Sequence, residues 1–330
     1  MRVGIIGCGN MGRRHTSNCN RMEGVSVAAV VDVDVAKAAS LGAEVEASVY
    51  DSTDRMLANA PIDAVIVATP PGVRWEIVKA AAAKRKATFV EKPIALDLCT
   101  AKACCLAAKE HLIPSAVGFH LRYSQLTSEA QALIANRPVT HIRTATTTSY
   151  YLNIDIPCWY LQRQHSGGPL LEQSIHMIDM ARYLVGDISH VFARGDRLVR
   201  PDLDAFNSED TIILTYQFNN GALGTHIDSC AMTEFNWEIE LFGPDWRLLV
   251  DYARNQLSGH INGRTIRKKF PAEDLHMLEM QAFLKAVRYA GNGNSSNGVL
   301  SNFSDATKTL AVVLAGDRSL ETGRWEPVEE

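Results

Sequence analysis

The chain has 330 residues with a formal net charge of −4, 46% hydrophobic and 21% charged. That length suffices for two ordinary domains, and the composition is that of a folded chain, which excludes wholesale disorder. So mild an acidity argues against nucleic acid or an anionic membrane as partner, and no apolar run is long enough to span a bilayer. The seven cysteines are an odd number without a CxxC pair. Met1 leads straight into a strand rather than a leader peptide, so a reducing cytoplasm is the expected compartment.

In chain order, residues 2–6 read as a short buried strand that runs into Gly7-Cys8-Gly9-Asn10-Met11-Gly12, and residues 11–21 continue as a helix. A strand, G-x-G-x-x-G and a helix form the dinucleotide-binding fingerprint. Gly7 allows the turn, Gly9 lets a pyrophosphate approach the backbone, and Gly12 lets helix and strand pack closely. The helix start then offers N–H groups to the phosphates. The next strand, residues 25–31, ends at Asp32, where a carboxylate would accept from the adenosine ribose hydroxyls and repel a 2′-phosphate. Val33 adds no cation and Lys37 is the one nearby candidate, so NAD is favoured over NADP.

Strand and helix signals then alternate: helices at 35–41 and 52–59, a continuous apolar strand at 63–68, a helix at 74–84, a strand at 88–90, a helix at 96–110 and a strand at 115–119. This is βαβ rhythm with a parallel sheet. Ligands in such sheets sit at the carboxyl ends of strands. Those ends carry the glycine loop, Asp32, Thr69-Pro70-Pro71, Glu91-Lys92-Pro93 and Phe119-His120, which together make the expected cofactor rim.

After about residue 120 the pattern changes. A helix is expected at 125–136, a β-branched strand at 141–149, an irregular aromatic stretch at 150–165 and a long helix from Gly167-Gly168-Pro169 to about residue 184. Strands follow at 191–196, 211–218, 222–230, 237–242 and 247–250, with hairpin turns at Asn219-Asn220-Gly221 and Asn262-Gly263. Helices at 274–289 and 304–321 flank a polar glycine-rich loop at 291–298. The expected architecture is therefore α/β: a doubly wound parallel sheet over residues 1–120, and an α+β domain with a large, mostly antiparallel sheet over residues 121–330.

Two constellations can carry chemistry. Lys92 stands at a strand end on the rim, restrained by Pro93; partly desolvated, it would trade a proton with a substrate hydroxyl. On the helix at 170–184, Glu172, His176 and Asp179 are spaced i, i+4, i+7 and share one face. His176 would exchange a proton, with Glu172 holding substrate or setting the imidazole tautomer. The alternative for that stripe is a face turned to water or an ion-pair set. The three residues also make a possible metal set, but no second histidine stands at helical spacing, and no metal is expected.

These motifs resemble the Gfo/Idh/MocA family of NAD(P)-dependent oxidoreductases. The likeness rests on the glycine loop with His15 after it, Val67-Ala68-Thr69-Pro70-Pro71, Phe89-Val90-Glu91-Lys92-Pro93, Gly118-Phe119-His120-Leu121-Arg122-Tyr123, and the run from Gly167-Gly168-Pro169 through Glu172 and His176 to Asp179. The resemblance implies an N-terminal Rossmann domain, and a C-terminal domain whose open sheet faces the nicotinamide across the substrate. It implies Lys92 as the catalytic lysine, His176 as the proton-transferring histidine and Glu172 as a substrate contact. It also implies a cis Lys92–Pro93 bond and a homodimer or homotetramer paired through the open sheet. Glu172 is one methylene longer than the family's common aspartate, Ser174 replaces a frequent glycine, and Trp75 stands where many members have histidine. The reading is hydride transfer between NAD and a hydroxyl- or carbonyl-bearing carbon of a sugar, cyclitol or sugar derivative. Substrate contacts are expected from His120, Arg122, Tyr123, Tyr151, Trp159, Arg163, Glu172 and His176. The alternatives are an NAD-dependent glycoside hydrolase acting by transient oxidation, and a non-catalytic NAD-binding sensor.

Overall fold

The computed structural model describes residues 1–152, 158–199, 201, 206–290 and 298–329. The chain divides into two compact units, Met1–His120 with Asp274–Thr307, and Leu121–Glu273 with Lys308–Glu330.

The first unit starts with β1 (Arg2–Ile6), α1 (Asn10–Asn20), β2 (Ser26–Val31), α2 (Val35–Val45), β3 (Ser48–Tyr50), α3 (Thr53–Asn59) and β4 (Ala64–Val67). It continues through α4 (Arg74–Ala83), β5 (Ala87–Val90), α5 (Leu98–Glu110) and β6 (Ser115–Val117). The sheet is parallel, in the order β3-β2-β1-β4-β5-β6. Its order reverses at β1 and β4, the switch point where doubly wound sheets open a crevice for ligands. β3 was not expected: it is a three-residue edge strand, too short and too exposed to show a buried pattern. Val3, Ile5, Val27, Val30, Ala64, Ile66 and Phe89 form the core, because strands covered on both faces are apolar along their length.

The second unit opens with α6 (Gln125–Ile134), β7 (His141–Thr147), the one-turn helices α7 (Cys158–Leu161) and α8 (Arg163–Ser166), and α9 (Ile175–Val185). Seven strands follow: β8 (Ile188–Asp196), β9 (Thr211–Phe218), β10 (Leu223–Ser229), β11 (Asn236–Gly243), β12 (Trp246–Asp251), β13 (Gln256–Ile261) and β14 (Arg264–Lys269). Asn262 and Gly263, with φ of 53° and 72°, make the expected turn between β13 and β14, as a two-residue hairpin with both central residues left-handed requires.

The chain then forms α10 (Leu275–Ala290), α11 (Phe303–Thr322) and β15 (Glu326–Pro327). Of the glycine-rich loop expected at 291–298, residues 291–297 lie outside the described residues. Met280, Phe283 and Leu284 of α10 join Ile66 and Phe89 in the core of the first unit. The segment Asp274–Thr307 therefore returns to the first unit, a return that a single division after residue 120 does not contain. β15 completes a nine-stranded sheet, β14-β13-β12-β11-β7-β10-β9-β8-β15, in which β7 and β10 are parallel and the other pairs antiparallel. α6 packs on β12 and β13, and α9 on β7 and β10. The sheet's other face carries exposed Ile213, Leu223 and Ile227. No helix among the described residues is long and apolar enough to cross a membrane.

Candidate functional site

In the first unit the glycine turn has the geometry its sequence implies. Gly7 has φ +94°, and a Cβ there would lie 2.7 Å from the Ala68 carbonyl oxygen. A Cβ on Gly12 would lie 1.9 Å from the Gly7 carbonyl oxygen. A Cβ on Gly9 would meet nothing within 4 Å. Gly7 and Gly12 are thus glycine for the protein's own packing, while Gly9 faces space that an approaching pyrophosphate can use. α1 starts at Asn10 with no side chain capping it, so its N–H groups remain available to phosphate. Asn10 is exposed and Met11 half-buried.

Asp32, at the end of β2, accepts from the backbone N–H of Cys8 (2.6 Å) and of Asp34 (2.8 Å). These bonds fix the carboxylate beside the loop. Lys37, the cation that the sequence offers beside Asp32, lies 3.4 Å from the Asp34 carboxylate, and Arg13 pairs with Glu44 at 2.9 Å. These features fit a dinucleotide.

Beyond β4 and β5, the turns that carry Thr69-Pro70 and Glu91-Lys92-Pro93 are tied together by a residue that the sequence does not single out. Arg74 is buried, and its guanidinium donates to the carbonyls of Thr69 (3.0 Å from Nε), Glu91 and Pro93. The Glu91 carboxylate does not point to open space as a cofactor contact would. Its Oε1 is 2.6 Å from His15 Nε2, and its Oε2 accepts from the Lys92 backbone N–H at 3.2 Å. Gly118 leaves room for it, since a Cβ there would lie 3.1 Å from Oε2. Glu91 thus anchors the turn, and Lys92, half-buried and joined to Pro93 by a cis bond, follows it.

α10 closes this cluster with His276 and Glu279, whose Nδ1 and Oε1 are 3.1 Å apart. The His276 ring lies 4.3 Å from that of His120, itself buried. Burial pushes His276 down to about 4 and Glu279 well above the usual carboxylate range. Burial also opposes ionisation of Glu91, but the His15 hydrogen bond and the charges of His15, His276 and Lys92 outweigh it and hold Glu91 low. The two glutamates are thus pushed apart, Glu279 toward its neutral form and Glu91 toward its charged one. Among the described residues, His15, Glu91 and Glu279 are the group whose ligating atoms lie within 4.8 Å of one another; Glu172, His176 and Asp179 form no such group.

In the second unit the expected long helix is not uniform. Gly167 and Gly168, both with φ near +80°, turn the chain into Pro169. Leu170–Ser174 then form a π turn, and α9 continues from Ile175. Glu172 (8% exposed), His176 (6%) and Asp179 (1%) are all buried, which rules out a stripe turned to water. They are not one set either. Asp179 accepts from Arg122 Nε at 2.7 Å and Nη2 at 2.6 Å, and from the Thr309 hydroxyl at 2.8 Å. Arg122, expected to meet substrate, is therefore buried in a bidentate ion pair, with its guanidinium 4.6 Å from the Tyr183 ring.

Arg163, the other expected substrate cation, is bound to Glu209 and, at 2.8 Å, to Asp317. Tyr123 and Trp159 are half-buried, and Tyr151 is buried against Phe206. The His176 ring instead stands 5.3 Å from Trp237 of β11, a residue whose sequence setting marks it only as part of a strand. A cavity of about 460 Å³ in this unit, lined by Ile134, Arg137, Leu184 and Asn220 among others, includes none of the expected residues.

Comparison with known proteins agrees with this construction. The profile of an oxidoreductase family with an NAD-binding Rossmann fold, GFO/IDH/MocA, matches residues 1–119. The GFO/IDH/MocA C-terminal domain matches residues 127–248. A myo-inositol 2-dehydrogenase of Thermotoga maritima is 27% identical over 100% of this chain and 99% of its own length. An NAD(+)-dependent scyllo-inositol 2-dehydrogenase of Bacillus subtilis is 26% identical over 98% and 95%. Among solved structures, levoglucosan dehydrogenase in complex with NADH and levoglucosan superposes with a TM-score of 0.88 at 22% identity, covering 100% and 99% of the two chains; that likeness speaks to fold alone.

Proposed function

We propose that this chain, which belongs to the Gfo/Idh/MocA oxidoreductase family, moves a hydride between NAD and a hydroxyl-bearing carbon of a sugar or cyclitol. When bound, NAD supplies the hydride acceptor, and its reduced form the donor. The chain's own part is to bind, orient and move a proton. Lys92 takes the hydroxyl proton as the carbon is oxidised, assisted by His176, and Glu172 holds the substrate hydroxyl. In reduction the same groups return the proton. Holding the reactants in register supplies much of the rate. Tyr123 and Trp159 keep the expected lining role, whereas Arg122 and Arg163, both already paired with carboxylates, brace the walls.

The observation that carries this reading is a buried imidazole and carboxylate, His176 and Glu172, on a helix whose remaining acid is already neutralised by Arg122. Asp32 beside the loop and the pairing of Lys37 with Asp34 support NAD over NADP. The exposed Ile213, Leu223 and Ile227 on the sheet's open face support a homodimer or homotetramer joined there.

The test is a panel of myo-inositol, scyllo-inositol, levoglucosan, aldoses and sugar acids with NAD+, watching NADH absorbance. Net NADH is expected with at least one. Lys92→Ala should abolish that turnover while leaving NADH affinity within about severalfold; near-normal kcat in this variant would refute the assignment. Cleavage of a chromogenic glycoside without net NADH would instead favour transient oxidation.

A further inference from the structure

We propose that Ser174 and Asp228 are positioning residues, whose buried hydrogen bond holds the π turn that sets Glu172 against His176. The inference rests on the functional reading above for its catalytic consequence, and on the second unit alone for its geometry. A π turn closes its hydrogen bonds over one more residue than an α turn and is rare. Something must hold it open, and two neighbouring side chains at its end are tethered sideways. Gln173 Nε2 donates to the Tyr160 hydroxyl at 2.6 Å. Ser174, fully buried, donates its hydroxyl to Asp228 on β10.

Asp228 is 1% exposed, and its other oxygen lies 3.4 Å from the Cys230 thiol. Burial pushes it up to about 7, against the hydrogen bonds from Ser174 and Cys230, so the serine hydroxyl helps keep a carboxylate there. Glu172 lies within the π turn and His176 just beyond it. Closing the turn into α geometry would tighten its i→i+5 hydrogen bonds to i→i+4 and turn Glu172 around the helix axis relative to His176.

The experiment uses Ser174→Ala, Asp228→Ala and Asp228→Asn in the full chain. Crystal structures of both alanine variants should show residues 170–174 closed as an α turn, and that of Asp228→Asn, which keeps an acceptor, should show the π turn. With NAD+ and whichever of myo-inositol, scyllo-inositol and levoglucosan the wild-type protein oxidises, kcat should fall about 10- to 100-fold in the alanine variants. KM should move less, NADH affinity should stay within about twofold, and Asp228→Asn should recover most of the lost kcat. A π turn that persists in both alanine variants would overturn the proposal. So would a closed turn with unchanged kcat, or an asparagine variant as impaired as the alanine one. Were none of the three polyols oxidised by the wild-type protein, the functional reading would fail, while the crystal structures would still decide what holds the turn.

Discussion

Replacing Arg122 with leucine should unfold the second unit far more readily, because the change strands a buried charge. The side chains of Arg122 and Asp179 are 3% and 1% exposed, and two charge-assisted hydrogen bonds of 2.7 and 2.6 Å join them. Asp179 also accepts from Thr309, whose hydroxyl in turn accepts from Arg182, and Arg182 pairs with Asp187. Removing the guanidinium leaves a carboxylate away from water with the Thr309 hydroxyl as donor. Breaking a buried pair from one side costs about 3–5 kcal/mol. With a urea m-value near 2 kcal/mol/M, the midpoint should fall by about 1.5–2.5 M. Tryptophan fluorescence is a suitable reporter, since four of the five tryptophans, Trp159, Trp237, Trp246 and Trp325, lie in the second unit. The double variant Arg122→Leu, Asp179→Leu should regain much of the loss, because an apolar pair of similar volume removes the stranded charge. A single-variant cost below about 1 kcal/mol, the range of exposed pairs, would refute this reasoning. Unchanged stability with a raised substrate KM would return Arg122 to the role its sequence suggested.

The glycine loop should separate folding from binding. Gly12→Ala drives a methyl into the Gly7 carbonyl and should lower both Tm and NADH affinity, whereas Gly9→Ala, with open space around it, should keep Tm and lose NADH affinity. An unchanged affinity in Gly9→Ala would remove the pyrophosphate from that position. His226, fully buried, is pushed by burial from 6.5 down to about 3. The unfolded chain therefore takes up a proton that the folded chain refuses, and stability present above pH 6.5 is lost as pH falls, at up to about 1.4 kcal/mol per unit for this group. His226→Gln should flatten the fall of Tm between pH 7 and pH 5, and equal slopes would count against it. Ile213→Arg with Ile227→Glu on the open sheet face should shift the solution mass measured by light scattering to that of a monomer; an unchanged mass would move the interface elsewhere.

The parts legible in the sequence are those whose chemistry is local. The Gly7–Gly12 turn is dictated by backbone clashes a few residues away, and Asp32 by its place at a strand end. What stayed hidden depends on partners remote in the chain. An arginine reads as an available cation, but Arg122 and Arg163 find their carboxylates 57 and 154 residues away. Leu-Leu-Glu-Gln-Ser carries ordinary helical periodicity, so nothing local announces a π turn. In β10, alternation separates two faces without saying which is inside: Leu223 and Ile227 face outward, while His226 and Asp228 are buried. Glu279 carried a signal, a charge within a largely apolar helical stretch, but a signal of that kind names no partner.

The return of α10 to the first unit bears on how the protein can be made. Phe89 and Ile66 lack their Met280 and Phe283 neighbours until that helix exists. On a ribosome, the nucleotide-binding half is then the first to be started and among the last to be finished. A fragment ending at residue 120 would leave a greasy scar rather than a free-standing module, and prematurely terminated chains would be natural clients for chaperones. Anyone wishing to isolate that half should splice the 274–307 segment to it rather than simply cut.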